Sequence, residues 1–458
     1  MSQSKELGTQ PIGRLLVKMA VPASVGILVM SIYFIVDTIF VGRFVGTLGI
    51  AAITIVMPIT FLISSIGMAI GVGGSSVVSR ALGAENYQKA FHTFGNMVGM
   101  TLTLAILLVV GGAFFDIPIL KLFGAEGGIV EPARRYFQII LIGVPALAWA
   151  MMSNNVMRAE GKPKMAMMSM MIPAVINIVL DPVFIVVLDW GLEGAAWATT
   201  ISYYMSAAFT SWFFFLGPSE LSLTWGRMRP EWELVREITS IGFVTLARQG
   251  TVSLLTIVLN HSLFAYGDEL AIAIFGVINR IMMFANFPVL GITQGFLPIA
   301  GFNYGAQYWL RVRDTIRISI LSGTAISLLL LTGILLFARP AVGLFTTDPA
   351  LLKPTPRALK IVFMAIPLIP AQLIGAAYFQ AIGKALPALL LTMTKQGFFL
   401  IPLVLILPLF FDLDGIWYAF PLSDILAATV TLTYLLWEIR GKLTPQIEHN
   451  PVAEVIQE

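Results

Sequence analysis

LLVKMAVPASVGILVMSIYFIVDTIFVG, residues 15–42, carries one lysine and one aspartate in 28 positions. A helix needs about 20 predominantly apolar residues to cross the hydrocarbon core of a bilayer, so this stretch reads as a spanning helix. It is too long for a barrel strand and does not alternate every second residue. Working outward, eleven further stretches pass the same test: 50–79, 93–115, 136–156, 165–188, 194–216, 238–266, 270–300, 315–338, 358–381, 386–411 and 415–437. Composition agrees. Of 458 residues 57% are hydrophobic and 12% charged, where a soluble domain carries roughly 25% charged. The fold class expected is therefore an all-α polytopic membrane protein of twelve helices, with the lipid bilayer as its first partner.

Several functions drop out at once. A net charge of +3 offers no footprint for nucleic acid. There is no cysteine, and the three histidines, His92, His261 and His449, are scattered without an HExxH pattern, which leaves no disulfide, thiol nucleophile or metal centre. No cofactor is expected beyond a coupling ion. The polar residues 1–14 precede an apolar stretch longer than a signal-peptide core, so the first span is read as retained.

Basic residues set the expected orientation. With the N-terminus cytoplasmic, inner segments hold 17 Lys and Arg and outer segments 8, which puts both termini on the cytoplasmic side of a cell inner membrane. Residues 217–237, charged and with two prolines, form the expected cytoplasmic linker. The expected organisation is a cytoplasmic segment 1–14, an N-lobe 15–216, the linker 217–237, a C-lobe 238–438 and a cytoplasmic tail 439–458, as a monomer.

The two halves are related. Gly83-Ala84 matches Gly305-Ala306, Pro145 matches Pro367 and Gly161-Lys162 matches Gly383-Lys384, each 222 residues apart; after a one-residue deletion GAAWA at 194–198 aligns with GIWYA at 415–419. Six helices are duplicated in the same topology, an arrangement that predicts two pseudo-symmetric lobes around a central cleft and suits alternating access.

Ionisable groups inside spans are costly and mark function by default. The first half places Asp37 on the first span, Asn177 and Asp181 one turn apart on the fifth, and Thr199 on the sixth. Their second-half counterparts are Leu259, Phe399 or Phe398, Leu403 or Pro402, and Phe420, so the polar set belongs to one repeat only. Asp37 and Asp181 stand about 17 and 16 residues up from the inner ends of their helices, which brings both to the outer third of the bilayer. Asn154, replaced by Ala376 in the copy, counts nearer the inner face. Two carboxylates in an apolar bundle cannot both be ionised cheaply; the pair suits a proton or, with the oxygens of Asn177 and Thr199, a Na⁺ cage. Pro22, whose counterpart is Val244, is the expected hinge of the first helix. The second half offers Arg248 with Gln249, Asn279 with Arg280, and Lys395 with Gln396, either lining the cleft or pairing and snorkelling. Met151 and Met168 belong to a methionine-dense inner half of spans four and five, suited to varied hydrophobic cargo or to ordinary packing. The glycines at 71, 73 and 74 lack a following GK[ST] and read as close helix packing.

Taken in order, VDTIFVGR with Asp37, GVGGSSVVSRALGAENYQKA, NNVMRAEGKPKMAM and NIVLDPVFI with Asn177 and Asp181 make the chain resemble the multidrug and toxic compound extrusion (MATE) family over nearly its whole length. The resemblance implies antiport of hydrophobic cationic drugs or dyes against H⁺ or Na⁺, with no enzymatic activity. The chain is similar to the DinF-like branch, whose N-lobe site Asp37, Asn177 and Asp181 match; Tyr136, Asn154 and Thr199 match its accessory polar positions. Spans seven and ten lack the C-lobe acids of the NorM-like branch. H⁺ is preferred to Na⁺ as the coupling ion. Two other readings stand beside this one: a flippase of lipid-linked saccharides, kept open by Arg248, Arg280 and Lys395, and a polytopic membrane enzyme, for which Asp412 and Asp414 are the sole paired loop acids.

Overall fold

The computed structural model describes residues 3–221 and 225–449 and is helical, with no strand among them. Ten helical stretches are long and apolar enough to cross a membrane. One of them, Trp232–Gly305, is two helices, broken where Gly267 and Asp268 leave helical geometry. The more polar Gly191–Phe215 adds another, which makes up the twelve expected. They are α1 Ile12–Phe44, α2 Thr47–Gly83, α3 Tyr87–Phe114, α4 Val130–Ala159 and α5 Pro163–Val187, then α6 Gly191–Phe215. In the second half follow α7 at 232–266, α8 at 269–305, α9 Trp309–Gly343, α10 Thr355–Ala381, α11 Ala385–Ile406 and α12 Pro408–Glu438.

The duplication is written into the turns. Gly46 and Asp268, Glu85 and Gln307, and Gly161 and Gly383 all adopt positive φ, and each pair is 222 residues apart. Left-handed backbone is costly for residues other than glycine, so its recurrence at one offset marks the same tight turn built twice. Asn86 caps α3 in the first copy, its side chain accepting from Lys89 N at 3.0 Å.

The chain forms two compact units, Met1–Glu6 with Val25–Thr245 and Leu7–Ser24 with Leu246–Glu458. The passage from one to the other within α1 falls two residues after Pro22. In the first unit a core of Val56, Ile59, Phe137, Ile140 and Leu141 joins α2 to α4. Lipid is as apolar as leucine, so helices in a membrane associate through close van der Waals contact and small residues rather than through expulsion of water. The glycine run of α2 does this: a methyl at Gly67 would come within 3.0 Å of the Ala148 backbone, one at Gly71 within 3.0 Å of Met152 Cα, and one at Gly73 would meet the Ile238 carbonyl. The second unit has its own core around Leu259, Ile278, Leu359, Phe363 and Trp417.

The expected linker region packs against the first unit. Glu231 N donates to Asn96 Oδ1 at 2.8 Å, the Arg227 guanidinium lies 4.7 Å over the Phe91 ring, and Glu237 accepts from Arg80 at 2.9 Å and Lys89 at 3.1 Å. His92 pairs with Glu231.

Candidate cation site

Four helices of the first unit meet at one polar point. Asp37 arrives on α1, Tyr136 on α4, Asn177 and Asp181 on α5, and Thr199 on α6; Asn177 and Asp181 have no exposed surface, and Asp37, Tyr136 and Thr199 are buried. Close approach of α1 to α5 is possible because residue 26 is glycine: a methyl there would lie 2.9 Å from Met170 Sδ. The neighbours orient the Asn177 amide. Its nitrogen donates to Asp181 Oδ2 at 2.8 Å, and its oxygen accepts from Thr199 N and Oγ1, each at 3.3 Å. The Asp37 and Asp181 carboxyls lie within hydrogen-bonding reach of each other. A bond between two carboxyl groups needs a proton on one of them, since an ionised carboxylate only accepts. Asp37 Oδ1 is buried and has no hydrogen-bond partner among the described residues.

Two further tyrosines, Tyr33 and Tyr203, complete the site. Tyr33, like Tyr136, lies beside Thr199, and Tyr203 neighbours Asp37. Sequence reading missed Tyr33 and Tyr203. The signal was present, since Tyr33 precedes Asp37 by four residues and Tyr203 follows Thr199 by four, which puts each on the same helix face as its partner. Just past Asp181 the helix widens into a π-helical turn over Pro182–Val187, where Pro182 has no N–H to give.

Asn154 is not part of this constellation. Its Nδ2 donates to Ala166 O at 2.6 Å and Ser169 Oγ at 2.8 Å, and its oxygen accepts from Arg158. It fastens α4 to the start of α5 and is spent on that task. Pro22 lies inside α1, which runs unbroken from Ile12 to Phe44. Met151 is half-buried and Met168 is exposed.

The cationic candidates all belong to the second unit. Gln249 and Arg280 are exposed and Arg248 is half-buried. Lys395 is held: its Nζ sits 2.6 Å from Asp424 Oδ1 on α12. Asp424 is missing from the span charges read off the sequence, although it falls inside the expected span 415–437. The glycines of α2 serve close packing as expected. Among the described residues no group of three or more His, Cys, Asp or Glu could hold a metal ion.

A profile of the family described as MatE matches residues 22–183 and 246–406. The multidrug export protein MepA of Staphylococcus aureus is 27% identical over 436 residues, 95% of each chain. A crystal structure of MATE in the straight conformation superposes with a TM-score of 0.90 at 25% identity, over 97% of this chain and 98% of that one. The outward-facing conformation of a multidrug resistance MATE family transporter of the MOP superfamily gives a TM-score of 0.88 at 25% identity, over 97% and 98%. With two repeats of six helices and more than half of its length under that profile, this chain belongs to the MatE family of multi-pass membrane transporters and is not an enzyme.

Proposed function

We propose that this protein is a cation-coupled antiporter of the DinF-like branch that exports amphipathic, mostly cationic organic compounds by alternating access. Asp37 and Asp181 are its coupling carboxylates. The observation that carries this reading is the carboxyl pair itself, buried on one repeat only, with Asp37 Oδ1 left unpartnered among the described residues. H⁺ is the preferred coupling ion for two reasons of geometry. The carboxyls lie close enough to share a proton, and Asn177 presents its N–H rather than its oxygen to Asp181, which serves a carboxylate better than it serves Na⁺. If both groups were ionised at about 4 Å, their repulsion would cost roughly 4 kcal/mol at an effective dielectric of about 20. A proton relieves that repulsion, and its gain and loss at the pair reshape the passage through which cargo leaves, so transport is exchange.

The hinge follows from Pro22. Proline cannot donate to the Lys18 carbonyl four residues earlier, and the missing bond lets α1 bend at low cost. Neutralisation of the Asp37 end changes which bend is favoured. The chain is expected in a cell inner membrane with both termini cytoplasmic, as a monomer. The flippase reading loses support, since Lys395, one of its three basic residues, is paired with Asp424.

The test is transport of ethidium in proteoliposomes under separately imposed H⁺ and Na⁺ gradients, comparing the wild type with Asp37→Asn and Asp181→Asn. An inward H⁺ gradient should drive exchange in the wild type and fail in both variants. Equal transport by all three proteins removes the mechanism, and exchange driven by Na⁺ alone replaces the coupling ion.

A further inference from the structure

In the second unit α11 and α12 bring a lysine and an aspartate together inside the spans. Asp424 is 5% exposed at its side chain and Lys395 18%, so the carboxylate is sealed in protein and the lysine side chain is the more open of the two. Their place in the repeat is informative. At the offset of 222 Lys395 corresponds to Pro173, one turn before Asn177; at 221 Asp424 corresponds to Tyr203, one turn after Thr199. Because α5 and α6 run in opposite directions, both shifts point toward the membrane face where α5 begins. The pair thus occupies the same couple of helices that carries Asn177, Asp181 and Thr199 in the first unit, about one turn deeper along them. Both copies of the fifth helix widen into a π-helical turn at their ionisable residue, Pro182–Val187 after Asp181 and Thr394–Leu400 around Lys395, and such turns recur at functional sites.

Stability alone does not account for the pair. Taking two ions out of water costs several kcal/mol each, and an apolar pair of similar volume is often as stable; the corresponding positions of the first unit, Pro173 and Tyr203, hold no such pair. The unequal exposure and the two stems point to the lysine as the partner that leaves. Lysine carries a point charge on a flexible four-carbon stem, whereas Asp424 is fixed in the interior of α12.

We propose that Asp424 is a binding carboxylate for the positively charged head of the cargo, an ammonium or an amidinium-like group, and that Lys395 is its tethered competitor. The cargo head takes the place of the lysine, whose stem swings away, and the carboxylate stays neutralised throughout. Binding here therefore consumes no proton and stays separate from coupling at Asp37 and Asp181. The inference rests on the cargo being cationic, as proposed above.

Equilibrium binding of ethidium to the full-length protein in detergent tests it, with the anionic dye calcein as the opposite probe. Lys395→Met should tighten ethidium by on the order of tenfold, and Asp424→Asn should weaken it by a similar factor. Lys395→Arg keeps the pair and holds the carboxylate with a rigid fork; it should weaken ethidium. The double variant Lys395→Met/Asp424→Asn leaves no buried charge to destabilise the fold and should bind like Asp424→Asn. If the wild type binds ethidium and the folded double variant binds it equally well, the proposal fails while the cationic-cargo reading survives. Calcein binding that tightens in Asp424→Asn makes Lys395 the receptor and also overturns it. A wild type that binds no organic cation overturns both readings.

Discussion

Glu160→Gln probes a buried acid outside the spans. Glu160 follows α4 in the turn to α5, has no exposed surface, and accepts from Ser219 Oγ at 2.7 Å and Glu220 N at 3.3 Å, with Lys162 Nζ 3.8 Å away. Burial pushes its carboxyl from 4.5 up to about 7; the Ser219 bond, the Lys162 charge and the Glu220 amide oppose burial without cancelling it. The sign follows from proton counting. Between 4.5 and about 7 the docked form holds a proton that the opened form releases, so docking of segment 219–221 is strongest below 4.5 and weakens as pH rises to about 7. At 1.36 kcal/mol per pH unit, that interval is worth roughly 3 to 4 kcal/mol, or about three-hundredfold in the opening equilibrium. The assay is hydrogen exchange at the Glu220 and Leu221 amides, corrected for intrinsic rates, at about pH 5 and about pH 8. Protection in the wild type should fall by one to two orders of magnitude, and Glu160→Gln, which keeps an acceptor without a charge, should hold it nearly level. Wild-type protection that is equal at both values, or a glutamine variant with the same slope, refutes the argument.

Asn154→Ala removes the α4–α5 fastening, not a coupling group. It should lower thermal stability by about 1–3 kcal/mol and leave the pH dependence of ethidium exchange in place, where Asp37→Asn abolishes it. Pro22→Ala restores a donor to the Lys18 carbonyl and stiffens α1; exchange in proteoliposomes should slow several-fold, with ethidium binding in detergent little changed. Asp116 titrates below the usual carboxylate range: burial alone would raise it, but bonds from Arg134 and Gln138 at 2.7 Å each, together with the Ile117 amide, outweigh burial. Its contribution is therefore present above the ordinary carboxylate value and lost as pH falls through the lowered one. In Asp116→Asn, helix Asp116–Leu122 should exchange faster at neutral pH, and the difference from the wild type should vanish in acid.

Much of this molecule is legible in its order of residues. Twelve spans follow from run length and apolarity because hydrocarbon admits only backbone that satisfies itself, and runs this long without alternation do so as helices. The duplication follows from residues that recur every 222 positions, since each tight turn needs the same backbone freedom in both copies. Asp37, Asn177 and Asp181 stand out because a polar side chain in lipid is conspicuous. Rotation of each helix about its axis is a different matter. In water a polar face and an apolar face betray it; in a membrane the faces toward lipid and toward protein are both apolar, and the pattern that would tell them apart is nearly absent. So only the folded chain turns Asn154 toward Ala166 and Ser169, brings Tyr33 and Tyr203 to the carboxylates, and closes Lys395 on Asp424. The identity of the polar residues was a property of the sequence; their partners were decided by how the helices are turned against one another, because hydrogen bonds and ion pairs act over about 3 Å while the spacing of residues along a helix says only which side each lies on.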